Sequence, residues 1–309
     1  MYSTTNSTIS LPLQLDVSLS YVVIELFCLF GNTLVIFAIC NSCRLKTNYY
    51  VLVFHVAVCD IVLVLSGNLL FCTPLVDQNM SVETYNTLNK IGVIFWYPFA
   101  TNIFVCECSF LLIIAVQRYK AVTKPLQPKL SRKRLHHIVS GVYIISLILH
   151  VLNAYCSSRW NQNKYFEICQ WIWDLLVTMF PLILIVALYT KMCRSLLLHN
   201  NRTKELFHSG VSSSNQIIAT SLKRNYRTII TSMVIVVQFF ATVLPARVIH
   251  LLVHRIRTIH VAGYHVYWAM MLYILGSCGL NPIIYGLLDK TLRAAYVKCF
   301  KKTFRLFRK

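Results

Sequence analysis

Seven long apolar blocks divide this chain, and they constrain its fold more than any motif does. Apolar stretches of about 20 residues, enough to cross roughly 30 Å of hydrocarbon, lie near residues 17–40, 48–72, 90–117, 136–155, 170–193, 228–253 and 264–288. A water-soluble core of this chain length cannot bury seven such blocks, and barrel strands are shorter and alternate in polarity. The sequence therefore predicts an all-α membrane protein, a bundle of seven transmembrane helices.

The basic residues predict the orientation of this bundle. If the N-terminus is extracellular, 24 of the 30 lysines and arginines fall at cytoplasmic ends and loops, as the positive-inside rule requires. We therefore expect an extracellular segment at 1–16, a membrane domain at 17–288 and a cytoplasmic segment at 289–309. The net charge of +20 then reflects topology and contact with the anionic lipid bilayer, and we expect no nucleic-acid partner.

Two modifications follow from this topology. Asn6 begins an extracellular Asn-Ser-Thr sequon, which predicts a glycosylation site, whereas the sequon at Asn201 is predicted to be cytoplasmic and unused. Residues 289–309 interleave basic and apolar side chains, a pattern that predicts a short amphipathic eighth helix on the inner leaflet, with Cys299 as a candidate palmitoylation site. A surface helix without an acyl chain is the alternative.

A few polar residues interrupt the apolar blocks, and each costs roughly 2.5–3.5 kcal/mol at the bilayer centre. Asn32, Asp60, Glu107, Arg118 and Asn281 are the main ones. Residues this costly are expected to serve a function rather than to fill space.

These positions and the motifs around them resemble the rhodopsin-like (class A) G-protein-coupled receptors over nearly the whole chain. The matching segments are Gly31-Asn32 in the first block, Asp60 in the second, Arg118-Tyr119 in the third, Pro181 with Tyr189 in the fifth, Phe239 with Pro245 in the sixth, and Asn281-Pro282-Ile283-Ile284-Tyr285 in the seventh.

The resemblance implies a cell-surface receptor of the plasma membrane, with no enzymatic activity, that activates a heterotrimeric G protein when the sixth helix moves. The residues implied in coupling are Arg118, Tyr119, Tyr189 and Tyr285, and the implied helix pivots are Pro181, Phe239, Pro245 and Pro282. A receptor-like protein that does not couple to G protein and a small-solute transporter remain alternatives, although the chain shows no internal repeat of the transporter kind.

The chain departs from the family pattern near the switch residues. Gln117 replaces the usual acid beside Arg118, which removes an intrahelical ion pair and suggests higher basal activity. Thr242 and Val243 stand where the family usually has Cys-Trp.

The disulfide implied by the resemblance also differs. Val93 occupies the usual third-span cysteine position, so a bond between Cys156 and Cys169 within one outer loop, as in lipid- and melanocortin-related branches, is the expected alternative. Cys72 is a competing partner.

In the family, the acid at the position of Asp60 binds a sodium ion, so the resemblance implies a cation or proton site here. Its members here are Asp60, Glu107, Ser277 and Asn281. Two buried carboxylates cannot both stay ionised without a cation or a shared proton. The alternative is a neutral Glu107 hydrogen-bonded to a helix backbone. A sodium ion is the one cofactor considered, and no dedicated metal cluster is expected.

By resemblance, two residues disfavour a monoamine ligand and exclude a retinal Schiff base. Ala100 replaces the aspartate of amine receptors, and Leu275 replaces the lysine that binds retinal. An aromatic and basic outer rim suits a peptide, a lipid or an acidic small molecule. Its candidate members are Trp96, Phe99, Trp171, Trp173, Arg247, Tyr267 and Trp268.

Overall fold

The structure, a computed structural model, describes a large part of the chain. The described residues are 11–71, 97–124, 127–128, 130–160, 168, 172–173, 176, 179–195, 230, 233–238, 241–242, 245 and 274–307. Within these ranges the chain is helical apart from short connections, and no strand occurs. The all-α prediction is therefore confirmed.

The helices follow the apolar blocks. The first four are α1 (Leu11–Asn41), α2 (Asn48–Phe71), α3 (Tyr97–Thr123) and α4 (Arg132–Trp160). We call the helical stretch 179–195 α5 and the helical positions described between 230 and 245 α6. A π-helical turn (Leu275–Gly279) leads into α7 (Leu280–Leu288), and α8 (Lys290–Phe307) follows.

Four of these helices are long and apolar enough to cross a membrane within the described ranges. The apolar spans are Leu19–Asn41, Asn48–Ser66, Asn102–Ala121 and Arg132–Cys156, and Leu275–Leu288 forms a shorter apolar helical segment. Their large outward side chains are apolar as well, which is the surface expected where lipid rather than water surrounds a bundle. Examples are Leu26, Phe30, Ile145, Leu147, Val151 and Leu152.

The helix order brings α1 against α2, α7 and α8, α2 against α3, and α3 against α4. The contact between α1 and α7 is especially close. A Cβ atom added to Gly31 would lie 3.0 Å from Cγ of Pro282, so only glycine lets the two backbones approach this far.

The predicted eighth helix is present and begins directly after Asp289. The Oδ1 atom of Asp289 accepts hydrogen bonds from the backbone N–H groups of Thr291 (2.8 Å) and Leu292 (3.1 Å), which caps the first turn of α8. Leu292 and Cys299 point into the bundle. Because Cys299 is only 7% exposed, this packing does not favour its palmitoylation, which stays a prediction.

Candidate functional site

Pro282 removes one backbone donor from a helical path that is already π-helical in the preceding turn. The N–H of Leu280 bonds to the carbonyl of Leu275, five residues back, which is the π-helical pattern. Pro282 has no N–H, so neither Ser277, five residues earlier, nor Cys278, four residues earlier, receives a hydrogen bond from it. Both residues are buried, and the Cys278 carbonyl, whose α-helical donor would be residue 282, needs another partner.

Two asparagine amides donate to these carbonyls. Nδ2 of Asn281 donates to the Ser277 carbonyl at 2.6 Å, and Nδ2 of Asn32 donates to the Cys278 carbonyl at 2.9 Å. The Asn32 amide also reaches the carbonyl of Cys28 in its own helix, at 3.0 Å. The break in the seventh helix is therefore satisfied partly from α1, and this is what Gly31 makes room for.

The same asparagine connects the break to α2. Nδ2 of Asn281 lies 3.2 Å from Oδ2 of Asp60. The four residues predicted for the cation or proton site are all buried, with at most 1% exposure: Asp60, Glu107, Ser277 and Asn281. The structure joins three of them by hydrogen bonds, and the carboxylate of Glu107 lies within electrostatic range of Asp60.

Three carboxylate oxygens in this site have no partner. Within the described part of the chain, Oδ1 of Asp60 and both Oε atoms of Glu107 are buried and make no hydrogen bond. The alternative of a neutral Glu107 bonded to a helix backbone is therefore not observed. Unpaired, dry carboxylate oxygens are suitable ligands for a hard cation and equally suitable for a shared proton.

Near the C-terminal end of α3, the Arg118 side chain lies on the face of an aromatic ring. Its guanidinium carbon is 4.1 Å from the ring centroid of Tyr49 in α2, a cation–π distance. Gln117, its neighbour, has a buried Nε2 atom without a hydrogen-bond partner among the described residues. The neighbouring Tyr119 is half-buried against the core.

Two of the predicted coupling residues, Tyr189 of α5 and Tyr285 of α7, meet at one small cavity. Tyr49 forms part of the same wall, and the remaining lining is apolar: Leu111, Ile114, Ile235 and Val236. The cavity has room for about one water molecule, and the buried hydroxyl of Tyr285 has no partner in the described structure. The cavity is therefore a place where a tyrosine hydroxyl can gain a new partner.

The sixth helix meets the seventh through polar groups. Nε2 of Gln238 donates to the carbonyl of Gly276, and Thr242, at the position of the family's usual cysteine, packs directly on Gly276. Of the predicted pivots, Pro282 is buried, Pro181 is half-buried and Pro245 is an exposed helical residue. Phe239 lies outside the described residues.

The predicted outer rim is described only in part. Phe99 packs edge-on against His150, with ring centroids 5.7 Å apart, and Trp173 is helical and half-buried. The rim members Trp96, Trp171, Arg247, Tyr267 and Trp268 lie outside the described residues, as do Asn6, Cys72 and Cys169. Cys156 has a free thiol in the structure. Because Cys169 is not among the described residues, the bond between these two cysteines stays a prediction.

The sequence interpretation missed Tyr49 and Gln238 as site residues. Tyr49 lies at the start of the second apolar block, but nothing in the spacing shows which neighbouring helix its ring will contact. Gln238 was detectable as a polar side chain within an otherwise apolar block, the same signal that singled out Glu107.

Comparison with known proteins identifies the architecture. The profile described as 7 transmembrane receptor (rhodopsin family) matches residues 31–285. The crystal structure of squid rhodopsin superimposes with a TM-score of 0.75 at 16% identity, over 96% of this chain and 87% of that chain. The predicted bundle of seven transmembrane helices with a short eighth helix is thereby confirmed.

Curated relatives show similarity over most of the chain. The neuromedin-K receptor of Oryctolagus cuniculus is 26% identical over 92% of this chain, which spans 61% of that receptor's length. The neuromedin-U receptor 2 of Rattus norvegicus is 28% identical over 92% of this chain and 75% of its own length. The neuropeptide FF receptor 1 of Rattus norvegicus is 22% identical over 91% of this chain and 69% of its own length.

Proposed function

The chain belongs to the rhodopsin family of seven-transmembrane receptors, and on that premise we propose that it converts binding of an extracellular peptide into activation of a heterotrimeric G protein. The proposal places it in the plasma membrane, with its N-terminus outside. The observation that supports signalling most strongly is that Tyr189 and Tyr285 line one cavity together with Tyr49, the residue whose ring carries the guanidinium of Arg118. Its function is binding and conformational change rather than catalysis.

A peptide is favoured over the other ligand classes because of the relatives. The neuromedin and neuropeptide FF receptors are named for the peptides they bind, and they match this chain over nearly its whole length. An aromatic and basic outer rim is compatible with this choice, because such side chains bind both apolar and acidic groups.

We propose that the signal passes through the cavity between α2, α3, α5, α6 and α7. Ile235 and Val236 of α6 form part of its wall, so an outward movement of α6 would open it toward the cytoplasm. Tyr189 and Tyr285 could then move beneath Arg118, whose side chain would leave the ring of Tyr49 to contact the G protein. Gln238 and Thr242 tie α6 to the π turn at Gly276, and they would resist this movement until ligand binds.

The buried carboxylates would act as a restraint on the same movement. Asp60 and Glu107, with the Ser277 hydroxyl and Asn281, are proposed to hold a sodium ion or to share a proton. The bound ion or proton would cancel repulsion between the two carboxylates and so favour the packing in which α2, α3 and α7 meet.

A panel of G-protein dissociation sensors tests the proposal. Cells expressing the chain would be exposed to neuromedin K, neuromedin U and neuropeptide FF peptides, with Arg118→Ala as the matched variant. We expect at least one sensor to respond with the intact chain and the response to be lost in the variant at equal surface expression. Ligand binding without any sensor response would instead establish the alternative of a receptor-like protein that does not couple to G protein.

A further inference from the structure

The cytoplasmic half of this receptor is nearly devoid of acidic residues. In the orientation proposed above, only Glu205 and Asp289 lie on that side, and the sequence contains no Asp or Glu from 206 to 288. The residue that precedes Arg118 is neutral. Neither α6 nor α7 therefore supplies a carboxylate that could restrain the Arg118 side chain.

Of these two acids, Asp289 lies within the described residues, and its carboxylate is already engaged. Its Oδ1 atom caps α8 through two backbone N–H groups, and its Oδ2 atom accepts a hydrogen bond from the Tyr50 hydroxyl at 2.9 Å. A carboxylate held by three donors has little remaining capacity for a guanidinium. The charge of Arg118 must therefore be balanced in another way.

The ring of Tyr49 is placed to balance it. The guanidinium lies 4.1 Å from the ring centroid, and Tyr49 is only 9% exposed, so the contact is largely desolvated, the setting in which cation–π attraction is strongest. The ring of Tyr50 packs edge-on against Tyr49, with centroids 5.0 Å apart and planes at 60°. Tyr50 in turn is fixed by Asp289. This chain of contacts makes the Tyr49 ring a rigid platform anchored at the start of α8.

We infer that Tyr49 is a positioning residue that holds Arg118 against α2 by a cation–π contact, in place of the missing acidic partner. The inference rests on the proposed function, because it names what restrains Arg118 before the receptor signals. It also links that restraint to the junction of α7 and α8, where Tyr50 and Asp289 hold the platform.

The test compares variants that keep or remove the aromatic face. Tyr49→Leu removes the π system, and we expect it to raise basal signalling about fivefold at equal surface expression, the size expected for a partly buried cation–π contact. Tyr49→Phe keeps the ring and loses only the hydroxyl, so its basal signalling should stay within about twofold of wild type. Tyr21→Leu is the matched control, because Tyr21 is a tyrosine of α1 that is as buried as Tyr49 and belongs to neither α2 nor α3.

A second substitution supplies a rescue. Gln117→Asp places a carboxylate beside Arg118, and in the Tyr49→Leu background it should return basal signalling to the wild-type level. A variant that had merely loosened the fold would not be corrected by a charge at this position.

Two readouts separate the inference from the proposed function. One is the G-protein sensor panel, and the other is a conformational sensor with a luciferase at the C-terminus and a fluorophore inserted between α5 and α6, which requires no G protein. A change of the conformational signal in Tyr49→Leu but not Tyr49→Phe, with every G-protein sensor silent, would support the inference and reject coupling. The inference is overturned if Tyr49→Leu matches wild type in both readouts, or if Tyr49→Phe behaves like Tyr49→Leu.

Discussion

Single amide groups decide whether the seventh helix can break where it does. Pro282 leaves the Cys278 carbonyl without a donor, and Asn32, from a different helix, provides one at 2.9 Å. The Asn281 amide donates to the Ser277 carbonyl while also contacting Asp60. One amide thus joins a backbone defect to a buried carboxylate, so a change in the charge of Asp60 acts directly on the geometry of the break.

Glu107 provides the sharpest test of the buried carboxylates. In the wild type, replacing an organic cation by sodium at constant ionic strength should shift the peptide concentration–response curve at least about fivefold to higher concentration, a typical coupling between two sites. Glu107→Gln removes one of the two charges, and we expect most of this shift to disappear. The measurement is G-protein dissociation across a sodium titration, repeated across a pH series.

Glu25→Gln is the matched control, because Glu25 is another buried acid, in α1, and lies outside the proposed group. It should keep the sodium shift. If the wild type responds to pH but not to sodium, the site shares a proton rather than binding a cation. Equal sodium and pH responses in Glu107→Gln and wild type would reject both forms of the site.

At the scale of elements, close helix contact depends on the absence of side chains as much as on their presence. Gly31 brings α1 onto Pro282, and Gly276 brings the π turn against Thr242 of α6. Without much hydrophobic drive between helices in lipid, such contacts and the hydrogen bonds that they permit hold the bundle together.

Gly31→Ala should therefore destabilise the receptor, whereas Gly141→Ala should not. Both glycines lie inside helices, so the alanine gains the same roughly 1 kcal/mol of helix propensity in each. At Gly31 the new methyl group would meet the rigid ring of Pro282 at 3.0 Å, but at Gly141 nothing lies within 4 Å. Overpacking costs about 1–3 kcal/mol. The Gly31 variant should therefore be less stable than the Gly141 variant by about that amount, as measured by thermal unfolding of the purified receptor. A Gly31 variant as stable as the Gly141 variant would show that α1 can move aside.

The helices themselves were largely predictable, since hydrocarbon thickness sets their length. The block at 48–72 became α2 at Asn48–Phe71, and the block at 136–155 lies within α4 at Arg132–Trp160. The π turn at Leu275–Gly279 was not predictable, because the hydropathy of a segment is the same for an α and a π path. The pairing of Arg118 with Tyr49 was also missed, because it depends on how α2 and α3 are rotated about their axes.

The proposed orientation makes the whole molecule polarised by charge across the membrane. It places 24 of the 30 basic residues on the cytoplasmic side, which the anionic inner leaflet would attract. On that side α8 presents exposed Lys290, Arg293 and Lys298 along its surface. The same asymmetry explains why Arg118 faces a region of excess positive charge, where an aromatic ring, which carries no net charge, is its partner.

The proposed orientation makes a prediction that requires no ligand. Sugar is added only to the extracellular side of the chain, so Asn6 should carry a glycan while the sequon at Asn201 should not. Treating the expressed receptor with a glycosidase should increase its gel mobility, and Asn6→Gln should reduce that change, or abolish it once Asn79, in the predicted outer loop, is also replaced. Asn201→Gln is the matched control and should leave the mobility change intact. A glycan that persists in the Asn6→Gln and Asn79→Gln double variant and is lost only with Asn201 would reverse the orientation, and with it the assignment of Arg118 to the G-protein side.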